Sequence, residues 1–271
     1  MAGFRALDES GAGLPSAPIA EGLVERLRAA PALLLVLDYD GTLVPFALTP
    51  ELAGPDSEVI ALLQDLAARP RTEVHIVSGR TRETLDSWLG PLPIGLHAEH
   101  GLSSRAPSGG AWVTATRPSQ EWRPAVLELM RALAAETPGA FVEEKRAGLA
   151  WHYRAADPAL GAVRARAMEL ELAALLDHRP ARVLPGAKVI EVVAKGVHKG
   201  RLVPSLLARA PAGALLVAIG DDRTDEDLFA ALPPEALAVH VGPGPSRASI
   251  RLAGVPEARA LLHALVEPHP A

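Results

Sequence analysis

The chain has 271 residues, 49% of them hydrophobic and 22% charged, enough for one large domain or two modest ones around a substantial core. Its formal net charge of -5 offers no global basic field to nucleic acid, and the lack of cysteine excludes disulfide and thiolate chemistry. The longest apolar runs, such as 32–37 and 214–219, fall far short of the roughly 20 residues that cross a bilayer, and the first residues carry Asp8 and Glu9 where a secretory signal needs an apolar core. A cytoplasmic protein without membrane or nucleic-acid partners is expected.

Residues 1–18, rich in Gly, Pro, Ser and Ala, read as a flexible leader before the helix pattern of 21–30. The strand pattern of 32–38 then runs into Asp38-Tyr39-Asp40-Gly41-Thr42. A buried strand that delivers acids to its C-terminal end is how open α/β sheets build active sites. Two carboxylates that close repel, and a shared proton or a hard cation such as Mg²⁺ resolves the repulsion. The plainer reading is an Asp-Gly turn. A helix pattern follows at 56–68, and the strand at 73–77 ends in Ser78-Gly79-Arg80. There, the Ser78 hydroxyl and the N–H groups opening a helix over 81–89 suit either a phosphate or a helix cap.

After a short strand at 94–97 the rhythm changes, and Pro107-Ser108-Gly109-Gly110 marks a turn or linker. Helix 121–135, strands 140–145 and 149–154, helix 158–176 and strands 181–184 and 189–193 make an α-β-β-α-β-β block. Arg146-Ala147-Gly148 is its first hairpin turn. The alternation returns with helix 199–209, strand 214–219, helix 225–231, strand 237–241 and helix 256–266. The fold class is therefore α/β, a parallel-sheet core (19–110 and 196–271) interrupted by an inserted α+β module (111–195).

Two later segments carry charge in unusual places. Lys199, just before Gly200, reads as a surface charge unless carboxylates and a phosphate lie beside it, where an ammonium would neutralise both. In Gly220-Asp221-Asp222-Arg223-Thr224-Asp225-Glu226-Asp227, Thr224 with Asp227 forms a capping box for the next helix. Asp221 and Asp222, at the end of a strand, are better explained as metal ligands.

Taken in order, DYDGT at 38–42, SGR at 78–80, Lys199 and GDDRTDED at 220–227 resemble the haloacid dehalogenase superfamily of aspartate-nucleophile phosphatases. The resemblance implies a Rossmann-like core in which Asp38 is the nucleophile and Asp40 the general acid and base. It implies that Thr42, Ser78, Gly79 and Lys199 hold the phosphate. Mg²⁺ would sit on Asp38, the Asp40 carbonyl and Asp221, with Asp222 and Asp225 in support directly or through water.

The αββαββ insertion looks like the type IIB cap of sugar phosphatases. Ala98-Glu99-His100-Gly101 before it, with Val142-Glu143-Glu144-Lys145, Trp151-His152-Tyr153-Arg154 and Ile190-Glu191-Val192 within it, resemble the trehalose-6-phosphate phosphatase family. By that likeness Glu143, Lys145 and Glu191 contact sugar hydroxyls, with Arg80 and His100 also against the substrate. Without it, Glu143 and Lys145 are a cross-strand charge pair and Glu191 faces solvent. His97, His100 and His152 lack the spacing of a full zinc ligand set. Glu99-His100-Gly101 either lies at the junction of core and cap or touches substrate. The implied partner is a small-molecule sugar phosphate, and a monomer is expected. A sucrose 6-phosphate or mannosyl-3-phosphoglycerate phosphatase, a non-catalytic sensor and a sugar-phosphate mutase stand as alternatives.

Overall fold

The structure, a computed structural model, describes residues 22–267; the leader at 1–18 lies outside them. Strand β1 (Ala32–Leu37) is buried at all six positions. It pairs in parallel with β2 (Thr72–Val77) on one side and β10 (Ala214–Gly220) on the other. A strand covered on both faces is apolar throughout, which is why β1 shows no alternation. Leu33, Leu35 and Leu37 pack toward α2 (Ser57–Ala68) and α8 (Val255–Val266), while Leu34 and Val36 pack toward α6 (Val203–Leu207) and α7 (Arg223–Ala230). Each buried leucine stabilises the core by about 1.5–3 kcal/mol.

The core sheet is completed by β3 (Gly95–Ala98), β4 (Ser103–Arg105), β5 (Val113–Thr114), β11 (Leu237–Val241) and β12 (Ile250–Leu252). Its order is β12-β11-β10-β1-β2-β3-β4-β5, with β4 and β5 antiparallel. Chain order reverses direction at β1, so the crevice beyond β1, β2 and β10 is the topological switch point where ligands of open α/β sheets bind. Helices α1 (Leu23–Ala29) and α3 (Arg82–Leu89) complete the core.

The insertion is a four-stranded antiparallel sheet, ordered β6-β7-β9-β8, built from β6 (Phe141–Glu144), β7 (Gly148–His152), β8 (Ala181–Gly186) and β9 (Val189–Ala194). Helices α4 (Arg123–Ala135) and α5 (Pro158–Leu175) cover one face through Met130, Met168 and Leu172 against Trp151 and Val192. The register aligns Glu143 with Ala150 and Ala150 with Glu191, so the two acids flank a small side chain in one row. The bland Ala147–Ala150 tip therefore has a steric use, since Ala150 leaves the row open between Glu143 and Glu191.

Three expectations shift. The Pro107–Gly110 segment is the loop of the β4–β5 hairpin, so the expected boundary at 110/111 falls inside that hairpin. The expected helix 199–209 is a 3₁₀ turn, Lys199–Leu202, followed by α6. Helix α7 is capped by Asp222 with Asp225 as the reciprocal partner, not by Thr224 with Asp227. The two D/T-x-x-D frames overlap, and the upstream one prevails because Asp222 Oδ1 accepts both the Thr224 N–H (2.7 Å) and its hydroxyl (2.6 Å). Asp227 is left to pair with Arg182 of the cap at 2.7 Å. No helix among the described residues is long and apolar enough to cross a membrane.

A buried polar chain ties β2, β3 and β4 together. Glu73 Oε1 meets His75 Nε2 (3.1 Å), His75 Nδ1 meets His97 Nε2 (3.0 Å), and His97 Nδ1 meets Ser104 Oγ (2.8 Å). Burial, with His75 beside it, pushes the His97 imidazole down to about 3, and burial also lowers His75. Both rings are neutral in the folded protein at pH values where the unfolded chain takes up protons, so stability falls as pH drops below about 6.5. For His97 alone the slope approaches about 1.4 kcal/mol per pH unit. Urea unfolding at pH 6 and pH 5 should show that slope, and His97→Gln should remove its share of it.

Candidate active site

Asp38 follows β1 directly, and its N–H donates to Ile219 O of β10 at 2.9 Å. This strand pairing carries its carboxylate to the floor of the cleft beyond the sheet. Lys199 arrives from the 3₁₀ turn after the cap, is 1% exposed, and donates from Nζ to Asp38 Oδ1 (2.6 Å) and Asp225 Oδ1 (2.8 Å). Asp38, Asp221 and Asp225 each offer an oxygen within 4.8 Å of the others' oxygens. Among the described residues this is the only grouping of three or more metal-ligating side chains.

Glycines make the convergence possible. A Cβ on Gly41, whose φ is +82°, would stand 2.2 Å from Asp221 Oδ2, and one on Gly220 would stand 2.1 Å from the Asp225 carboxyl carbon. Thr42 Oγ1 donates to Asp221 Oδ1 at 3.2 Å.

The cluster is short of positive charge. Burial and the carboxylates of Asp38, Asp222 and Asp225 push Asp221 up to about 10, and burial raises Asp38 and Asp225 as well. Burial alone would lower the Lys199 ammonium, yet Asp225, Asp38 and Asp222 hold it well above its ordinary range. Burial would likewise raise Asp222, but Lys199 and the Thr224 hydrogen bonds bring it below the ordinary carboxylate value. Hard oxygen donors with one ammonium among them fit a small divalent cation.

Asp40 stands one residue beyond the Tyr39 side chain, which is buried in the core. Arg80 grips it with two bonds, Nε to Oδ2 at 2.8 Å and Nη2 to Oδ1 at 2.6 Å, and lies over the Trp88 ring at 5.0 Å. Ser78 is not the cap of α3; Thr81 is, accepting from Thr84 N at 3.3 Å. The Ser78 side chain lines the cleft with Gly79, and a Cβ on Gly79 would meet His100 Cε1 at 2.9 Å.

Opposite these groups the cap presents Glu143, Lys145 and Glu191 to the same cleft, whose empty volume is about 890 Å³ including its mouth. Lys145 Nζ is 3.0 Å from Glu191 Oε1 and 3.8 Å from Glu143 Oε2. His100 Nε2 meets Glu191 Oε2 at 3.0 Å, and His152 Nε2 meets Glu143 Oε2 at 2.9 Å. Burial works against the Glu191 charge, yet Lys145 and His100 hold its carboxyl far below the ordinary range. Glu191 is thus not on a solvent face, being 9% exposed and covered by the core. The three histidines go separate ways, with His97 in the core and His100 and His152 on different glutamates, so they form no zinc set.

A family model described as trehalose-phosphatase matches residues 36–253. The chain is 43% identical over 235 residues, 87% of its length, to a bifunctional trehalose-6-phosphate synthase/phosphatase of Thermoproteus tenax. It is 35% identical over 228 residues, 76% of its length, to a trehalose-phosphatase of Saccharomyces cerevisiae. The chain belongs to the trehalose-phosphatase family. It spans 32% and 25% of the lengths of these two relatives. The C-terminal domain of a C. albicans trehalose-6-phosphate phosphatase superposes with a TM-score of 0.86 at 29% identity, covering 95% of this chain and 99% of that one. A Bacteroides thetaiotaomicron haloacid dehalogenase-like hydrolase, at 16% identity and a TM-score of 0.60, covers 86% of this chain and 99% of that one and shares the fold.

One feature of this trehalose-phosphatase family member has no counterpart among the sequence motifs. Phe46 is 44% exposed at the cleft, and Arg154 of the cap lies over its ring at 5.1 Å. The available signal was a phenylalanine in the loop after DYDGT, whose ring face can take a guanidinium. Of the places expected for Glu99-His100-Gly101, Glu99 takes the junction of core and cap, where it is buried against Ala147, and His100 lines the cleft.

Proposed function

We propose that this chain hydrolyses trehalose 6-phosphate to trehalose and inorganic phosphate through an aspartyl-phosphate on Asp38. One observation carries the reading: the Asp38–Lys199 pair with its acidic cluster and the Glu143–Lys145–Glu191 row face each other across one cleft. The first wall suits a phosphoryl group, and the second offers directed donors and acceptors to sugar hydroxyls.

Asp38 Oδ attacks phosphorus while Lys199 offsets the repulsion between nucleophile and phosphoryl oxygens. Ser78 Oγ–H and the Gly79 N–H hold the remaining oxygens, since the Ser78 N–H donates to His97 O and the Arg80 N–H to Ser78 Oγ. Asp40 gives a proton to the departing sugar oxygen and then removes one from the water that opens the aspartyl-phosphate. Arg80, bonded to both Asp40 oxygens, fixes its direction and must yield one of them when Asp40 carries the proton. Mg²⁺ held by Asp38, Asp221 and Asp225, with the Asp40 carbonyl, would neutralise phosphoryl oxygen charge. Asp222, engaged with Thr224, shapes this cluster from the head of α7.

Phosphate release should be measured on trehalose 6-phosphate, sucrose 6-phosphate and a mannosyl-3-phosphoglycerate, each with Mg²⁺ and with a chelator. Fastest turnover of trehalose 6-phosphate, lost on chelation, supports the reading; equal or better turnover of another ester overturns the substrate. Lys145→Ala should raise KM for trehalose 6-phosphate by roughly tenfold or more, because it leaves Glu191 buried without its cation. Its hydrolysis of p-nitrophenyl phosphate, which has no sugar to read, should change little. The intact Asp38, Asp40 and Lys199 favour an enzyme over a sensor, and formation of an isomeric sugar phosphate without free phosphate would indicate a mutase.

A further inference from the structure

Two successive non-glycine residues, Glu99 (φ 49°) and His100 (φ 55°), occupy the left-handed region, and Gly101 (φ 88°) follows. Side-chain-bearing residues stay there only where the surroundings over-determine them. Here the turn is fixed to the Ser78–Arg80 loop by Glu99 N–H to Arg80 O (2.9 Å) and His100 N–H to Ser78 O (2.9 Å).

The outcome is that two adjacent core side chains reach into the cap. His100 meets Glu191, as described. Glu99, 2% exposed, accepts the Ala147 N–H on Oε2 at 2.6 Å, with the Arg146 N–H as a further donor. Those N–H groups belong to the turn between β6 and β7. The same turn carries Lys145, whose own N–H closes onto Gly148 O at 3.0 Å. Glu99 is not among the residues lining the cleft, and its side chain is turned to the Ala147 N–H instead.

We propose that Glu99 is a positioning residue that registers the sugar-reading hairpin of the cap over the phosphate-holding loop of the core. Its backbone is bonded to the Ser78–Arg80 loop and its carboxylate to the Lys145 turn, so one residue sets the span between the two ends of the substrate. The inference rests on Glu143, Lys145 and Glu191 reading the sugar. It goes beyond that reading in assigning a core residue to substrate selection.

Steady-state kinetics on the best ester of the panel and on p-nitrophenyl phosphate test it, with thermal midpoints recorded for each variant. Glu99→Ala should raise KM for the sugar ester by roughly tenfold or more while kcat stays within about threefold. Glu99→Asp keeps the charge but shortens the reach by one methylene, and should show the same split should the alanine variant fold poorly. Glu99→Gln, whose amide oxygen still accepts from Ala147, should restore KM to within about threefold of wild type. Adding Glu99→Ala to Lys145→Ala should raise KM little further, since both remove one device. An unchanged KM in folded Glu99→Ala or Glu99→Asp, an equal loss on both esters, or multiplicative effects in the double variant would overturn the proposal. Preference of the wild type for a different sugar would overturn the substrate assignment and leave these comparisons standing on that sugar.

Discussion

Asp38→Asn is expected to abolish phosphate release, by on the order of 10⁴-fold or more, in a protein that remains folded. An amide of the same shape is a far poorer nucleophile toward phosphorus, and no other carboxylate can take the position. Asp221 and Asp225 are within reach of Asp38, but Asp221 follows the end of β10 and Asp225 lies in α7, where Lys199 already ties it at 2.8 Å. The fold should tolerate the change because Asp38 is one of several buried acids that burial and mutual repulsion raise. Asparagine removes a charge from that crowd and keeps an oxygen for the Lys199 ammonium. A thermal midpoint equal to or above that of the wild type, with no turnover, is the expected pair of results. Residual turnover within about tenfold of wild type would refute Asp38 as nucleophile.

Asp38 and Asp40 were legible because their position follows from one strand. Six apolar residues before Asp38 require burial on both faces, and a strand so buried must end at the crevice side of the sheet. The cap row was legible only through resemblance. In Val189-Ile190-Glu191-Val192-Val193 the period of two says that Glu191 shares a face with its neighbours at 189 and 193, but not what covers that face. The answer depends on His100, 91 positions earlier.

Glu99-His100-Gly101 pointed to the junction of core and cap, but nothing local named the partners of Glu99. A glutamate at positive φ runs against propensity, and its partners at 146 and 147 are fixed by the docking of two domains. The helix α7 cap was missed for the opposite reason, too many adequate signals: Asp222 and Thr224 both suit an N-cap, and side-chain geometry decided between them. Strands β4, β5 and β12, of three, two and three residues, are too short for periodicity to register.

Lys199→Met should be the most costly single change to the site, because it alters both stability and rate. The methionine keeps most of the stem's volume and removes the ammonium that lies 2.6 Å from Asp38 and 2.8 Å from Asp225. Breaking a buried ion pair from one side costs about 3–5 kcal/mol, since the stranded charges stay buried. Here two carboxylates lose their shared partner, with Asp221 and Asp222 close by. Urea unfolding in metal-free buffer should therefore show a loss in that range, and phosphate release should fall by roughly 10³-fold or more. Mg²⁺ should recover part of the stability by mass action, about 2.7 kcal/mol at a hundredfold excess over its Kd. The thermal midpoint of the variant should rise more with Mg²⁺ than that of the wild type, because its acids have no other counterion. A variant as stable as wild type in metal-free buffer would mean that the acids do not depend on Lys199. Lost turnover with an undiminished Mg²⁺-dependent rise would instead separate its role toward the phosphate from its role in holding the acids together.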